Sequence, residues 1–320
     1  MVLIDVVIPV YNRAHCIAAL ISELEKQTMK QFRALFVDDG STDGTCEVLE
    51  RCLENVSFSY EVIRKENGGA ASARNAGIRA ATAPWIGFVD SDDALLPEYL
   101  EYMYRAATEA GAPLSICKFE ITVQSADVGV PSAEPFAYHV ITGEDCMRRY
   151  YTNWFGVYNL LLSRELQQKY ALFFDEECCY HEDIPFITSV IAVADRVAVV
   201  EQVLYTYYAI EGSLSHSPRL DKFYSGIAAF EKMNQQVKKL GTAAAVAFNQ
   251  MGSARYYIAT MRKAAVQVDY QTFLILGEKV ALQRFSHQLK HLSGTQRLAG
   301  HLYLISRPLF YFLVRRVFKD

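Results

Sequence analysis

The chain has 320 residues, 51% of them hydrophobic, enough to fill one large core or two of ordinary size. Its formal charge of −4 argues against a general nucleic-acid binder. The seven cysteines include no C-x-x-C and follow no framework spacing, which favours reduced thiols over a disulfide scaffold. The first apolar run, residues 2–8, has no basic segment before it, and nowhere do about twenty apolar residues run uninterrupted. Neither a secretory signal nor a spanning helix is therefore expected.

Strand-like runs at 4–10, 32–37, 57–64, 85–89 and 114–121 alternate with helical patterns at 14–26, 45–55, 70–81 and 98–110. Short apolar strands between amphipathic helices predict a doubly wound, mostly parallel α/β sheet. Ligands of such sheets bind beyond the carboxyl ends of the strands. The first four runs each end in a polar or glycine-rich turn. In order these are Pro9-Val10-Tyr11-Asn12, Asp38-Asp39-Gly40-Ser41, Lys65-Glu66-Asn67-Gly68-Gly69 and Asp90-Ser91-Asp92-Asp93. Four such turns converging on one rim predict a binding site there. The last turn places three carboxylates within four residues, and they repel one another unless a cation sits among them. Mg²⁺ and Mn²⁺ prefer oxygen ligands and usually bind through one or two carboxylates plus substrate phosphates. The turn therefore points to a metal-assisted enzyme acting on a phosphorylated donor. Taken alone, it reads equally as an acidic turn capping the next helix.

Residues 125–135, with Gly129, Pro131 and Pro135, read as a loop. Helical patterns follow near 143–151 and 183–194, then strand signals at 196–200 and 203–209. Beyond them the chain reads as helices. Ser217 suits an N-cap with Pro218 at the first helical position, and further helical patterns lie at 242–266 and 270–282.

The segments 8–12, 37–45, 66–69 with 72–77, and 88–93, together with His181-Glu182-Asp183-Ile184-Pro185-Phe186, strongly resemble the family 2 glycosyltransferases of the GT-A fold. The resemblance covers roughly residues 2–208. Each motif is only moderately specific, whereas all five in this order and spacing are very specific. It implies a Rossmann-like, mostly parallel mixed sheet flanked by helices, with a helical C-terminal extension. Residues 1–215 would form the nucleotide-sugar-binding and catalytic domain, and residues 216–320 a helical region with a basic apolar tail. The activity implied is hexosyl transfer with inversion, of the kind that builds bacterial surface polysaccharides.

The same resemblance implies roles for individual residues. Asp39 would accept from the N3–H of uracil or thymine, hence a UDP-sugar or dTDP-sugar donor. Tyr11 would lie against the base, since aromatic faces stack on bases, and Pro9 and Val10 before it are implied in nucleotide-sugar binding. Gly68 and Gly69 open a helix whose N-terminus favours anions. Arg74 would reach the nucleotide or brace the Asp39 loop. Asp90, with Ser91, is implied at the ribose. Asp92 is implied as the ligand of Mn²⁺ or Mg²⁺, joined by His216 from the loop after the last strand. Asp183 is implied as the base that takes the acceptor's proton in a single displacement. Glu182 would bind the acceptor or hold the loop. Asp38 and Asn75 are expected to be structural, and Asp93 to cap the helix near Pro97 or support Asp92. Tyr180-His181 stand where many family members have glycine, and are expected to shape acceptor specificity.

Residues 298–318 mix apolar side chains with Arg307, Arg315 and Arg316. The pattern suits a helix lying at a membrane interface, and alternatively a C-terminal helix docked on the domain or at a dimer contact. A membrane position would fit a saccharide acceptor on a lipid carrier, with the enzyme cytoplasmic and peripheral on the inner face of the plasma membrane. Other classes fare worse. A sugar-1-phosphate nucleotidyltransferase calls for a glycine-rich basic loop where Pro9-Val10-Tyr11-Asn12 stands. A dinucleotide dehydrogenase needs G-x-G-x-x-G there. A catalytically lapsed nucleotide-sugar-binding protein is disfavoured by intact Asp39, Asp90, Asp92 and Asp183. No motif fixes the sugar, the acceptor or the oligomeric state.

Overall fold

The computed structural model describes residues 1–122, 135–149, 156–178, 182–208, 220–278, 282–292 and 294–318. The strands are β1 (Ile4–Val10), β2 (Phe32–Asp38), β3 (Ser59–Arg64), β4 (Trp85–Phe88), β5 (Ala94–Leu95), β6 (Leu114–Thr122), β7 (Tyr138–Thr142), β8 (Leu160–Ser163) and β9 (Arg196–Tyr208). Helices α1 (Ile17–Glu25), α2 (Thr45–Leu53), α3 (Gly69–Ala80) and α4 (Tyr99–Ala110) fill the first crossovers. Then come α5 (Gly143–Arg149), α6 (Arg164–Lys169) and α7 (Asp183–Val193). The C-terminal helices are α8 (Leu220–Val237), α9 (Ala243–Gln267), α10 (Tyr270–Glu278), α11 (Leu282–Gln288), α12 (Gly294–Ile305) and α13 (Arg307–Phe318).

Among the described residues the strands form one nine-stranded sheet in the order β3-β2-β1-β4-β8-β6-β9-β5, with β7 added on β9. β1 pairs in parallel with β2 and β4, and β2 with β3. β8 is antiparallel to both β4 and β6, which makes the sheet mixed. The carboxyl ends of β1, β2, β3 and β4 therefore share one rim.

Strand alternation divides the core into two layers. Ile4, Val6 and Ile8 of β1 join Leu20, Leu24, Leu49 and Met103 in the layer under α1, α2 and α4. Val7 points the other way, into a cluster that includes Ile78 of α3, Phe186 of α7 and, further on, Phe230, Phe248 and Tyr303 of the C-terminal helices. One continuous apolar layer thus joins the sheet to the helices after residue 220. Gly77 lets α3 lie close against β1, because a Cβ there would stand 2.4 Å from Val7 Cγ1.

Two sequence expectations change in detail. The strand signals at 196–200 and 203–209 are one strand, β9. Its pairing with β6 shifts register on either side of Lys118, and that irregularity separates the two runs. The strand expected from residue 57 begins at Ser59 and is an exposed edge. Of the loop expected at 125–135, residues 125–134 fall outside the described residues, as do the Ser217–Pro218 cap, Tyr180, His181, His216 and the domain boundary at 215.

Candidate active site

The four turns interlock at the rim. Asn12, with φ of 53°, donates its backbone amide to Ser41 Oγ at 3.0 Å, and its Oδ1 accepts from the Thr42 amide at 2.9 Å. Asp39 is buried, and its carboxylate accepts from the amides of Gly68 and Gly69 at 3.0 and 2.7 Å. Lys65 Nζ lies 2.6 Å from the same carboxylate. Gly69 adopts φ of +85°, a conformation open to glycine and strained for other residues. The glycines therefore shape the cradle around Asp39. A nucleobase N–H reaching Asp39 would share it with Lys65 or displace that ammonium. Asp38 accepts from the Ser41 amide at 3.1 Å, a structural role.

Tyr11 stands exposed at the end of β1, free to meet a flat ligand. Pro9 is half-buried beside it. Val10 has its side chain in the core and offers the rim only its carbonyl, which takes the Asp39 amide at 2.9 Å. Ser91 is likewise buried.

Arg74, near the second turn of α3, is almost fully buried. Its guanidinium donates to Asp90 Oδ1 at 2.7 Å and to Glu182 Oε1 at 2.8 Å, and lies over the Phe174 ring. Burial works against this charge, but Asp90 and Glu182 outweigh it and hold the pKa above its ordinary value. Asn75 fixes the segment below by exchanging bonds with the Phe174 backbone at 3.0 and 2.9 Å. Arg74 braces the Asp90 and Glu182 segments; Lys65 and the two glycines brace Asp39.

Glu182 and Asp183 open α7. Burial, followed by the neighbouring Glu182, raises the Asp183 pKa to about 7, against an opposing pull from Arg74. Lys263 of α9 is close enough for its charge to be felt by Asp183, so the C-terminal helices contribute to this side of the site. Sequence patterns offered no signal for that approach.

Asp92 is joined to Arg13, whose Nη2 donates to Asp92 Oδ2 at 3.0 Å. Burial raises the Asp92 pKa, Arg13 lowers it, and Asp90 raises it further. Arg13 went unrecognised in the sequence, although it directly follows the Tyr11-Asn12 turn. Among the described residues no three His, Cys, Asp or Glu side chains gather as a metal site. Asp92 nevertheless suits a hard cation. It is a partly exposed carboxylate in a locally acidic setting, and Mg²⁺ or Mn²⁺ commonly takes one or two carboxylates and completes its shell with phosphates and water.

Asp93 departs from expectation. It neither caps α4, whose N-cap is Glu98, nor bonds to Asp92. Its Oδ2 accepts from the Tyr205 hydroxyl at 2.6 Å and its Oδ1 from the Tyr208 amide at 3.0 Å. The Tyr205 oxygen in turn accepts from the Asp90 amide at 3.1 Å. Asp93 thus anchors the acidic turn to β9, and burial raises its pKa.

The model of glycosyl transferase family 2 matches residues 5–157. The uncharacterized glycosyltransferase EpsJ of Bacillus subtilis is 31% identical over 241 residues, covering 71% of this chain and 69% of that protein. Among solved structures, S. aureus TarS 1-349 in complex with UDP-GlcNAc superposes with a TM-score of 0.73 at 19% identity, over 99% of this chain and 91% of that one. The Pyrobaculum calidifontis mannosyltransferase PcManGT, in complex with GDP-Man and Mn²⁺, gives a TM-score of 0.56 at 16% identity, over 99% and 86%. These likenesses place the chain's fold with the GT-A structures.

Proposed function

The chain belongs to glycosyltransferase family 2, and from that premise we propose that it moves a hexose-type sugar from a UDP-sugar or dTDP-sugar to a saccharide or lipid-linked saccharide acceptor, with inversion, in polysaccharide biosynthesis. The observation that carries the reading is the Arg74 bridge. It ties Asp90, on the proposed donor rim, to Glu182, beside Asp183, whose pKa burial raises toward neutrality. The UDP-GlcNAc held by the TarS structure supports the choice of donor class.

In this reading the base rests on Tyr11 and within reach of the Asp39 cradle. Asp90 takes the ribose. Asp92 would hold Mn²⁺ or Mg²⁺, which when bound would offset the diphosphate's charge as the sugar–phosphate bond breaks. Glu182 orients the acceptor, and Asp183 removes the proton from its attacking hydroxyl. A base with a pKa near 7 is well matched to that task at neutral pH. The enzyme works in the cytoplasm, peripheral on the inner face of the plasma membrane.

A donor panel read by nucleotide release, with and without Mn²⁺, tests the proposal. Turnover of UDP- or dTDP-sugars supports it. Tight UDP binding with no turnover of any donor or acceptor would favour the lapsed-binding reading instead.

A further inference from the structure

We infer that the outward face of α12 and α13 is a docking surface for an anionic lipid bilayer. This rests on the peripheral placement proposed above and adds its contact face and the lipid charge it requires. α13 has two distinct sides. Phe310, Tyr311 and Val314 are buried against the body of the protein. Tyr311 donates its hydroxyl to the Val268 carbonyl at 2.9 Å, and Arg315 donates to the same carbonyl at 3.0 Å. The helix is therefore firmly docked. Its opposite side carries Leu309, Phe312, Leu313 and Val317, at helical spacing, with Phe312 61% and Val317 66% exposed. Leu298 and Ile305 of α12 add exposures of 71% and 82%.

Charge singles out the occupant. Between Glu278 and Asp320 the sequence contains no acid, while Arg284 to Lys319 supplies seven Lys or Arg. Arg316 lies exposed within the apolar arc of α13, and Arg297 and Lys290 are also exposed. The rest of the chain is correspondingly acidic. A two-fold contact through this face would bring its cations against their own copies. An anionic bilayer accepts both components, with apolar side chains entering the acyl boundary and arginines snorkelling to the headgroups. No described helix is long and apolar enough to cross a membrane, so the contact is in-plane.

Flotation of the full-length protein with vesicles tests the inference. One vesicle set is phosphatidylcholine alone and the other contains phosphatidylglycerol. Expected is binding to the anionic set that falls with added salt, and much weaker binding to the neutral set. Leu309→Glu with Val317→Glu, and separately Arg316→Glu, should each lower that binding, the double variant by roughly tenfold or more. The circular dichroism melting curve reports folding of each variant. Equal binding to both vesicle sets, binding to neither, or variants that bind like wild type would overturn the inference. A lipid-free wild-type dimer that the double variant converts to monomer would also overturn it, by showing that a second copy covers this face. Loss of UDP binding with vesicle binding intact would count against the donor reading alone.

Discussion

Arg74 and Glu182, 108 positions apart in sequence, meet at 2.8 Å, and the same guanidinium holds Asp90 at 2.7 Å. One planar fork thus ties the acidic turn after β4 to the start of α7, which carries Asp183. Lysine keeps the charge but is a point donor on a flexible stem. Arg74→Lys is expected to lower the transfer rate about tenfold or more while leaving the chain folded. Arg74→Ala strands two carboxylates around a buried space, at a cost of about 3–5 kcal/mol in urea denaturation. A lysine variant with the wild-type rate would remove the bridge from the account.

Asp183→Asn keeps the volume and the helix start but cannot take a proton. Transfer should drop by about 10²–10⁴-fold, the range for loss of a general base. UDP affinity, measured by titration calorimetry, should stay unchanged if Asp183 serves the acceptor, as proposed. Retained transfer would exclude Asp183 as the base.

The raised Asp183 pKa makes two pH predictions. The rate should climb with pH through about 7 and then level, because only the ionised carboxyl accepts a proton. Stability should run the other way. The folded state binds this proton more tightly than the unfolded chain, whose value is near 3.8, so this group's contribution falls as pH rises from 3.8 to about 7. Asp183→Asn removes that loss, and its melting temperature should gain on wild type between pH 5 and pH 8. A constant difference across that range would contradict the shift.

The strand–helix alternation of the first half and the four strand-end turns were legible because each rests on local sequence, namely short apolar runs between amphipathic helices and turn chemistry. The partners of those turns were not. Lys65 against Asp39, Arg13 against Asp92 and Tyr205 against Asp93 depend on which loops meet across the rim, and no spacing rule encodes that. Asp93 illustrates the limit. Its position before a helix predicted a cap, yet the hydroxyl of a strand more than a hundred residues later captures it. The tail was legible in composition but divided in fact: one side docks as a C-terminal helix should, and the other remains apolar and exposed.

Gly69 has open space where a Cβ would stand, so Gly69→Ala costs backbone strain alone. At φ of +85° that strain is about 1–2 kcal/mol. Relief by rotation would pull the Gly69 amide from Asp39, now at 2.7 Å, and loosen the cradle. UDP binding should weaken several-fold, with a modest fall in melting temperature. Unchanged affinity would place this turn outside the nucleotide site.

Arg13 acts as the resident counter-charge of Asp92, and that makes the cation assignment testable without turnover. Its Nη2 occupies one carboxylate oxygen at 3.0 Å, while its buried Nε has no hydrogen-bond partner among the described residues. A divalent cation binding to Asp92 competes with this guanidinium. Arg13→Gln removes the competing charge, so affinity for Mn²⁺ alone should rise several-fold, as read from the electron paramagnetic resonance signal of free Mn²⁺. Asp92→Ala should abolish the binding in either background. If Mn²⁺ binding is the same in all four proteins, Asp92 is not the ligand and Arg13 is only a brace for the acidic turn.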